Sequence, residues 1–279
     1  MPDPVTLSFE FFPPKSETAL EAMLSCAQEL KSLAPSFVTV TFGAGGSTKS
    51  GTMETALRLQ KEVGLTVGAH LSYFGHTKDE LFAYADQLWD ADIRHLVALR
   101  GDIPEGQSAS DYREPQYFEY TSEFVEALLE HHPFDISVGA YPEKHPDAPS
   151  LDADIIALKK KCDAKSARAI TQFFFDPSVF KDFVAQTANY GITTPIVPGL
   201  LPIRDFTKIC GFAEKCQAKI PDHIRNLFEA STDPVETGIE LLSSQIIDLL
   251  HADVKHFHFY TLNQSDMILE ACRRSGIRT

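Results

Sequence analysis

TVGAHLSYFGHTKDELFAYADQLWDADIRHLVALRG, residues 66–101, reads as one strand–helix–strand unit. Its two ends, TVGAHLSY (66–73) and HLVALRG (95–101), are short, mostly continuous apolar runs, the pattern of strands covered on both faces. Between them Thr77 and Glu80 stand at the spacing of a capping box, in which each side chain satisfies a backbone N–H that helix geometry leaves unpaired. The same alternation runs outward in both directions. LSFEFF (7–12) and FVTVTF (37–42) precede the unit; DISVGAY (135–141), ARAITQFFF (167–175), PIVPGLL (195–201) and HFHFYTL (256–262) follow it. Leu20, Met23, Leu24 and Ala27 form a helical apolar stripe after the first run. Asp176-Pro177 supplies a cap and a first-turn proline before Val179, Phe180, Phe183 and Val184. Eight strands alternating with helices predict a closed (β/α)8 TIM barrel or a large doubly wound sheet.

No linker or low-complexity tract divides residues 1–279, so one catalytic barrel domain is expected from end to end. The composition is that of a globular protein, 43% hydrophobic and 23% charged. With 39 acidic against 25 basic residues the net charge is -14, which repels nucleic acid and anionic lipid; an anionic ligand needs cations gathered locally. The N-terminal stretch lacks signal-peptide architecture, and no run is long and apolar enough to span a bilayer. Five cysteines (Cys26, Cys162, Cys210, Cys216, Cys272) are scattered without a CxxC pair, as reduced core thiols of a cytoplasmic protein would be. An outer helix can face water or a second copy equally well, so a homo-oligomer is compatible with the pattern.

Barrel enzymes keep their chemistry at the C-terminal ends of the strands. Glu10, between Phe9 and Phe11, is costly to bury as a carboxylate; burial raises its pKa, as a general acid requires, unless a salt bridge holds it as a structural residue. TFGAGGS (41–47) is a glycine-rich turn suited to a ligand or merely to a turn. Thr48 stands where a dinucleotide fingerprint needs its third glycine, so a Rossmann domain is not expected. His70 interrupts the third strand, and Arg100-Gly101-Asp102 ends the fourth, opening an irregular stretch, 101–116, of functional length. Tyr141 to Pro146 ends the fifth, followed by Asp154 and Lys159-Lys160-Lys161; Lys159 reads as solvated, the other two as a cationic spot for a diphosphate. Gln172 places a planar amide among apolar neighbours. His256 and His258 share a strand face, but without a third ligand no metal is expected.

SFEFFPP, VTFGAGG, GAHL, HLVALRGD, SVGAYPEKHP, RAITQFFFD, PGLLPI and HFHFYTLN, in this order from residue 8 to 263, resemble the catalytic barrel of the methylenetetrahydrofolate reductase family. The resemblance implies a (β/α)8 barrel binding FAD. It implies reduction of 5,10-methylenetetrahydrofolate to 5-methyltetrahydrofolate by NADH or NADPH, in a ping-pong cycle where nicotinamide and folate take the same place in turn. Glu10 matches the general acid that helps open the methylene bridge, and Asp102 a carboxylate near flavin and pterin. Gln172 and Thr41 match substrate contacts, and Phe212 the aromatic on which ligands stack. Phe42, Ala44, His70, Arg100, Gly101, Asp102, Thr121, Tyr141, His145, Ala148, Asp154, Lys160 and Lys161 match positions lining FAD. Three residues depart from the family pattern: Ala157 stands for an asparagine near FAD, and Lys208 and Gln264 for a glutamine and an arginine on the folate side. These departures admit an alternative, a folate-binding barrel that has lost reductase activity and serves as a carrier or partner subunit. Inhibition through a C-terminal regulatory domain is not expected.

Overall fold

The computed structural model describes residues 5–42, 49–103 and 106–277. All eight expected strands are present and all pair in parallel: β1 (Thr6–Phe11), β2 (Phe37–Val40), β3 (Val67–Ser72), β4 (His95–Leu99), β5 (Asp135–Ala140), β6 (Arg168–Thr171), a seventh strand in two pieces, β7 (Ile196–Val197) and β8 (Gly199–Leu200), and β9 (His256–Tyr260). Pro198 divides the seventh strand because it has no N–H to give a ladder. β7 pairs with β6, β8 pairs with β9, and β9 pairs with β1, so the sheet closes and the doubly wound alternative falls away.

Helices α1 (Glu17–Leu30), α2 (Lys49–Arg58), α3 (Lys78–Asp90), α4 (Thr121–His131), α5 (Leu151–Asp163), α6 (Pro177–Asn189), α7 (Phe206–Cys216), α8 (Asp222–Glu229), α9 (Pro234–His251) and α10 (Asp266–Arg274) surround it. The capping box forms as read, with Thr77 and Glu80 bonding each other's backbone N–H. Asp176 caps α6 with Pro177 in its first turn; on that helix Thr187 is buried and Val184 is exposed, so the expected stripe is shifted by one turn at its end.

The alternation of the strands sorts their side chains. Leu7, Phe9 and Phe11 of β1, Val38 and Val40 of β2 and Phe257 and Phe259 of β9 belong to the main apolar core. The intervening residues, including Ser8, Glu10, Thr39, His70, Ser137, Arg168, His256 and His258, make a polar network within the barrel. At its lower end Arg168 makes a two-pronged ion pair with Asp135, which also meets His95 at 3.4 Å. Burial raises the Asp135 pKa, but His95 and the two-pronged bond from Arg168 outweigh it and hold the carboxyl far below its usual range.

After the seventh strand the chain makes an excursion through α7 and α8. Phe173, Phe175, Leu201, Ile203, Ile209, Ala213, Ile220, Ile224 and Phe228 form a second, smaller core beneath it. This excursion brings Phe212 and Cys216 over the barrel mouth. Among the described residues no helix is long and apolar enough to cross a membrane.

Candidate active site

Glu10 is the fifth residue of β1 and points into the mouth, where its side chain keeps 20% of its exposure. Its Oε2 lies 3.3 Å from His70 Nε2 on β3 and 3.8 Å from His258 Nε2 on β9. Thr39 Oγ1 on β2 lies 3.3 Å from the same His70 nitrogen. Ser8 Oγ bridges His256 Nε2 at 2.9 Å and His258 Nδ1 at 2.8 Å, which orients the His258 ring. Four strands thus place one carboxyl among imidazoles that burial discharges. Desolvation lowers His258 to about 3 and His256 to about 3, with Arg168 adding to both and His258 to the latter. Burial likewise raises Glu10, only partly offset by His70, and lowers His70. Desolvation is the larger effect, so the Glu10 carboxyl holds its proton more tightly than an exposed glutamate does.

A cavity of about 370 Å³ opens above this group. Thr41, Phe42, His70, Gln172, Phe212, Cys216 and Tyr260 line it together with Glu10. The Gln172 amide oxygen accepts the Phe173 N–H at 3.0 Å, leaving the NH2 to serve a ligand. Tyr260 donates its hydroxyl to the Thr171 carbonyl at 2.6 Å, and burial holds its pKa well above the ordinary phenol. Gly199 makes this possible, since a Cβ there would meet the Thr171 oxygen at 2.2 Å and the Tyr260 ring at 2.6 Å.

A second cavity, about 440 Å³, adjoins the first across a shared wall of Leu99, Gly139 and Tyr141. Arg100, Thr121, His145, Ala148, Asp154, Ala157, Lys160 and Lys161 line it. The turn after β5 is stitched in place. Lys144 Nζ donates to the carbonyls of His145, Pro146 and Ala148, and Asp154 Oδ2 accepts the His145 N–H at 2.8 Å. Arg100 pairs with Asp147 at 2.6 Å. Lys161 donates to the Gly139 carbonyl at 2.5 Å, in the wall between the cavities, and burial lowers its pKa. Lys160 lies 5.7 Å above the Tyr120 ring, with no ion pair among the described residues. Tyr120 and Ile156, large apolar side chains that remain about half exposed, face this same space.

The structure therefore gathers most of the sequence-derived residues around two joined cavities. Gly101 shapes the end of β4: its φ is +85°, and a Cβ would lie 2.8 Å from Ser72 Cβ. Asp102 is exposed beside the mouth, where its charge raises the Tyr141 phenol and Cys216 thiol after the larger effect of their burial. Lys208 is exposed and paired with Asp205 at 3.5 Å, and Gln264 is exposed; neither lines a cavity. Ala44 and the turn 43–48 lie outside the described residues. Tyr260, Cys216 and the positioning pair Ser8–His258 were missed as site residues. The HFHFY alternation (256–260) carried the signal, since it puts His256, His258 and Tyr260 on one face; Cys216 had no signal in its spacing.

A closed parallel barrel with an acid at its mouth and a second cavity alongside, lined by both cations and carboxylates, has the layout of a (β/α)8 barrel enzyme. The sequence matches the family described as methylenetetrahydrofolate reductase over residues 3–276. It is 38% identical to the 5,10-methylenetetrahydrofolate reductase of Escherichia coli, covering 98% of this chain and 92% of that one. It is 34% identical to methylenetetrahydrofolate reductase (NADH) 1 of Zea mays, covering 97% of this chain and 48% of that one. The chain belongs to the methylenetetrahydrofolate reductase family. A Clostridium thermocellum protein described as binding two copies of 5-methyl-5,6,7,8-tetrahydrofolic acid shares the fold, with a TM-score of 0.67 at 14% identity, covering 98% of this chain and 95% of that one.

Proposed function

We propose that this chain reduces 5,10-methylenetetrahydrofolate to 5-methyltetrahydrofolate with electrons from NADH or NADPH, using FAD, the two substrates taking turns at one mouth. The observation that carries this reading is the union of a carboxyl whose pKa burial raises with two adjoining cavities, one above that carboxyl and one lined by Arg100, Lys160 and Lys161. The second cavity would take the cofactor's phosphates and adenosine: Lys160, and Arg100 once exchanged from Asp147, face the phosphates among Glu119, Asp147 and Asp154, with half-exposed apolar walls at Tyr120 and Ile156. Thr121, Ala148, Asp154 and Lys161, which line the same cavity, would complete the hold. The wall at Tyr141, with Phe42 and His70 across the mouth, would receive the isoalloxazine.

When bound, FAD supplies acceptance and redelivery of a hydride. The protein's part is proton supply, orientation and exclusion of water. Glu10 gives its proton to the folate amine nitrogen whose bond to the bridging methylene breaks, and the neutral imidazoles of His70 and His258 keep that proton available. Gln172 aligns each ring system by its edge, Thr41 contacts the nicotinamide, and Phe212 offers a face for stacking. Asp102, at the rim, helps hold the folate. The reductase relatives do not favour a carrier without activity.

Purified protein is expected to be yellow with a flavin spectrum, to bleach anaerobically with NADH or NADPH, and to regain colour with 5,10-methylenetetrahydrofolate. A colourless protein that added FAD does not restore would overturn the reading.

A further inference from the structure

On the outside of the barrel, the end of α4 carries His131 and His132, and both imidazoles turn toward α3. Their Nε2–H groups converge on one acceptor, Asp86 Oδ1, at 2.8 and 2.7 Å. The rest of that face of α3 holds the rings still. Phe82, Asp86 and Trp89 stand at i, i+4 and i+7, one stripe of the helix. Phe82 packs on the His131 ring at 4.8 Å, and Trp89 stacks on His132 at 4.7 Å with the planes 2° apart. Phe134 closes the edge of the His132 ring at 5.7 Å.

We propose that Asp86, His131 and His132 bind a divalent first-row transition ion of the Zn2+ or Ni2+ class, which clamps α3 to α4. The two nitrogens and a carboxylate oxygen lie within 4.8 Å of one another. Bound ligands about 2.1 Å from an ion stand about 3.0–3.4 Å apart, so the rings need only small rotations to admit one. Each Nε2 exposes its lone pair when its proton moves to Nδ1 of the same ring, and Asp86 then meets the ion in place of two N–H donors. The aromatic packing has already removed most of the rotamer freedom that binding would otherwise cost. Two imidazoles with one carboxylate select borderline ions over Mg2+, which prefers an all-oxygen shell. Asp86 at 51%, His131 at 31% and His132 at 24% side-chain exposure leave the ion open to solvent, with water to complete its shell. The ion would sit at the far end of α4 from Thr121, a helix length of about 15 Å from the cavity wall.

The test uses untagged protein stripped with chelator, titrated with NiCl2 and followed by calorimetry and thermal unfolding. One ion per chain and a rise in Tm of a few degrees are expected, because the ion binds only the folded arrangement. Asp86→Ala and the double variant His131→Gln/His132→Gln should each weaken Ni2+ at least about tenfold while keeping the parent's far-ultraviolet spectrum. Co2+ should give a visible spectrum without thiolate charge transfer, which separates this site from the half-buried cysteines. The proposal is overturned if the parent takes up no ion, if the variants bind as the parent does, or if Mg2+ binds as well as Ni2+.

Discussion

At the scale of single residues the account rests on groups that burial keeps uncharged. The folded pKa of Glu10 is raised above its ordinary 4.5, so below that value both folded and unfolded chains are protonated and nothing is lost. As pH rises through the raised value, the unfolded chain ionises more readily and the folded state is penalised. Glu10→Gln escapes the penalty. Its Tm relative to the parent is expected to climb as pH rises above 4.5; a difference that stays flat would remove the burial argument. The histidines act in the opposite direction. With folded values near 3 against an ordinary 6.5, His256 and His258 contribute stability above pH 6.5 that is lost as pH falls toward 3. His256→Asn should make the acid limb of a Tm-against-pH curve shallower, and an unchanged limb would show that these rings are solvated. Glu10 was legible in the sequence because a carboxylate between phenylalanines demands an explanation. The value of His258 was not, because its partner Ser8 is 250 residues away and becomes its neighbour only when β9 closes on β1.

At the scale of elements, the strands were readable because their outward residues are apolar, and their ends were not. The run 95–101 stops as a strand at Leu99 because Gly101 turns left-handed, and the run 256–262 stops at Tyr260 because Leu262 and Asn263 do. The run 167–175 leaves the sheet after Thr171 so that Phe173 and Phe175 can enter the smaller core. An apolar run does not say which of two cores its residues will join. The bend in the seventh strand leaves no room for a side chain at Gly199. Gly199→Ala must drive its methyl into the Thr171 carbonyl or displace Tyr260, and is expected to cost roughly 2 kcal/mol. Urea unfolding checks the stability, and the same variant should lose affinity for folate. Full stability with an intact site would mean that the strand yields without cost.

The whole molecule is an acidic barrel in which Arg100, Lys160 and Lys161 meet at one cavity. That contrast was visible in the sequence as a charge of -14 beside Lys159-Lys160-Lys161, but it did not divide the labour among the three. Lys159 pairs with Asp163 on its own helix, Lys161 is tied to the wall between the cavities, and Lys160 faces the second cavity. Lys160→Ala should therefore raise the Kd for FAD about fivefold without lowering Tm. Lys161→Ala should raise that Kd and also lower Tm, because it leaves the Gly139 carbonyl without its donor. Fluorescence of released flavin during dialysis would show the difference, and two variants of identical behaviour would refute the division. The folate-side departures at Lys208 and Gln264 stand away from both cavities, so they bear on the rim and not on the acid. The central claim is that Glu10 supplies a proton to the folate and not to the nicotinamide step. Stopped-flow absorbance of Glu10→Gln, followed through each half-reaction separately, tests it most directly. Flavin reduction by NADH or NADPH should run within a few-fold of the parent, and reoxidation by 5,10-methylenetetrahydrofolate should slow about a hundredfold or more. Equal slowing of both half-reactions would contradict the account.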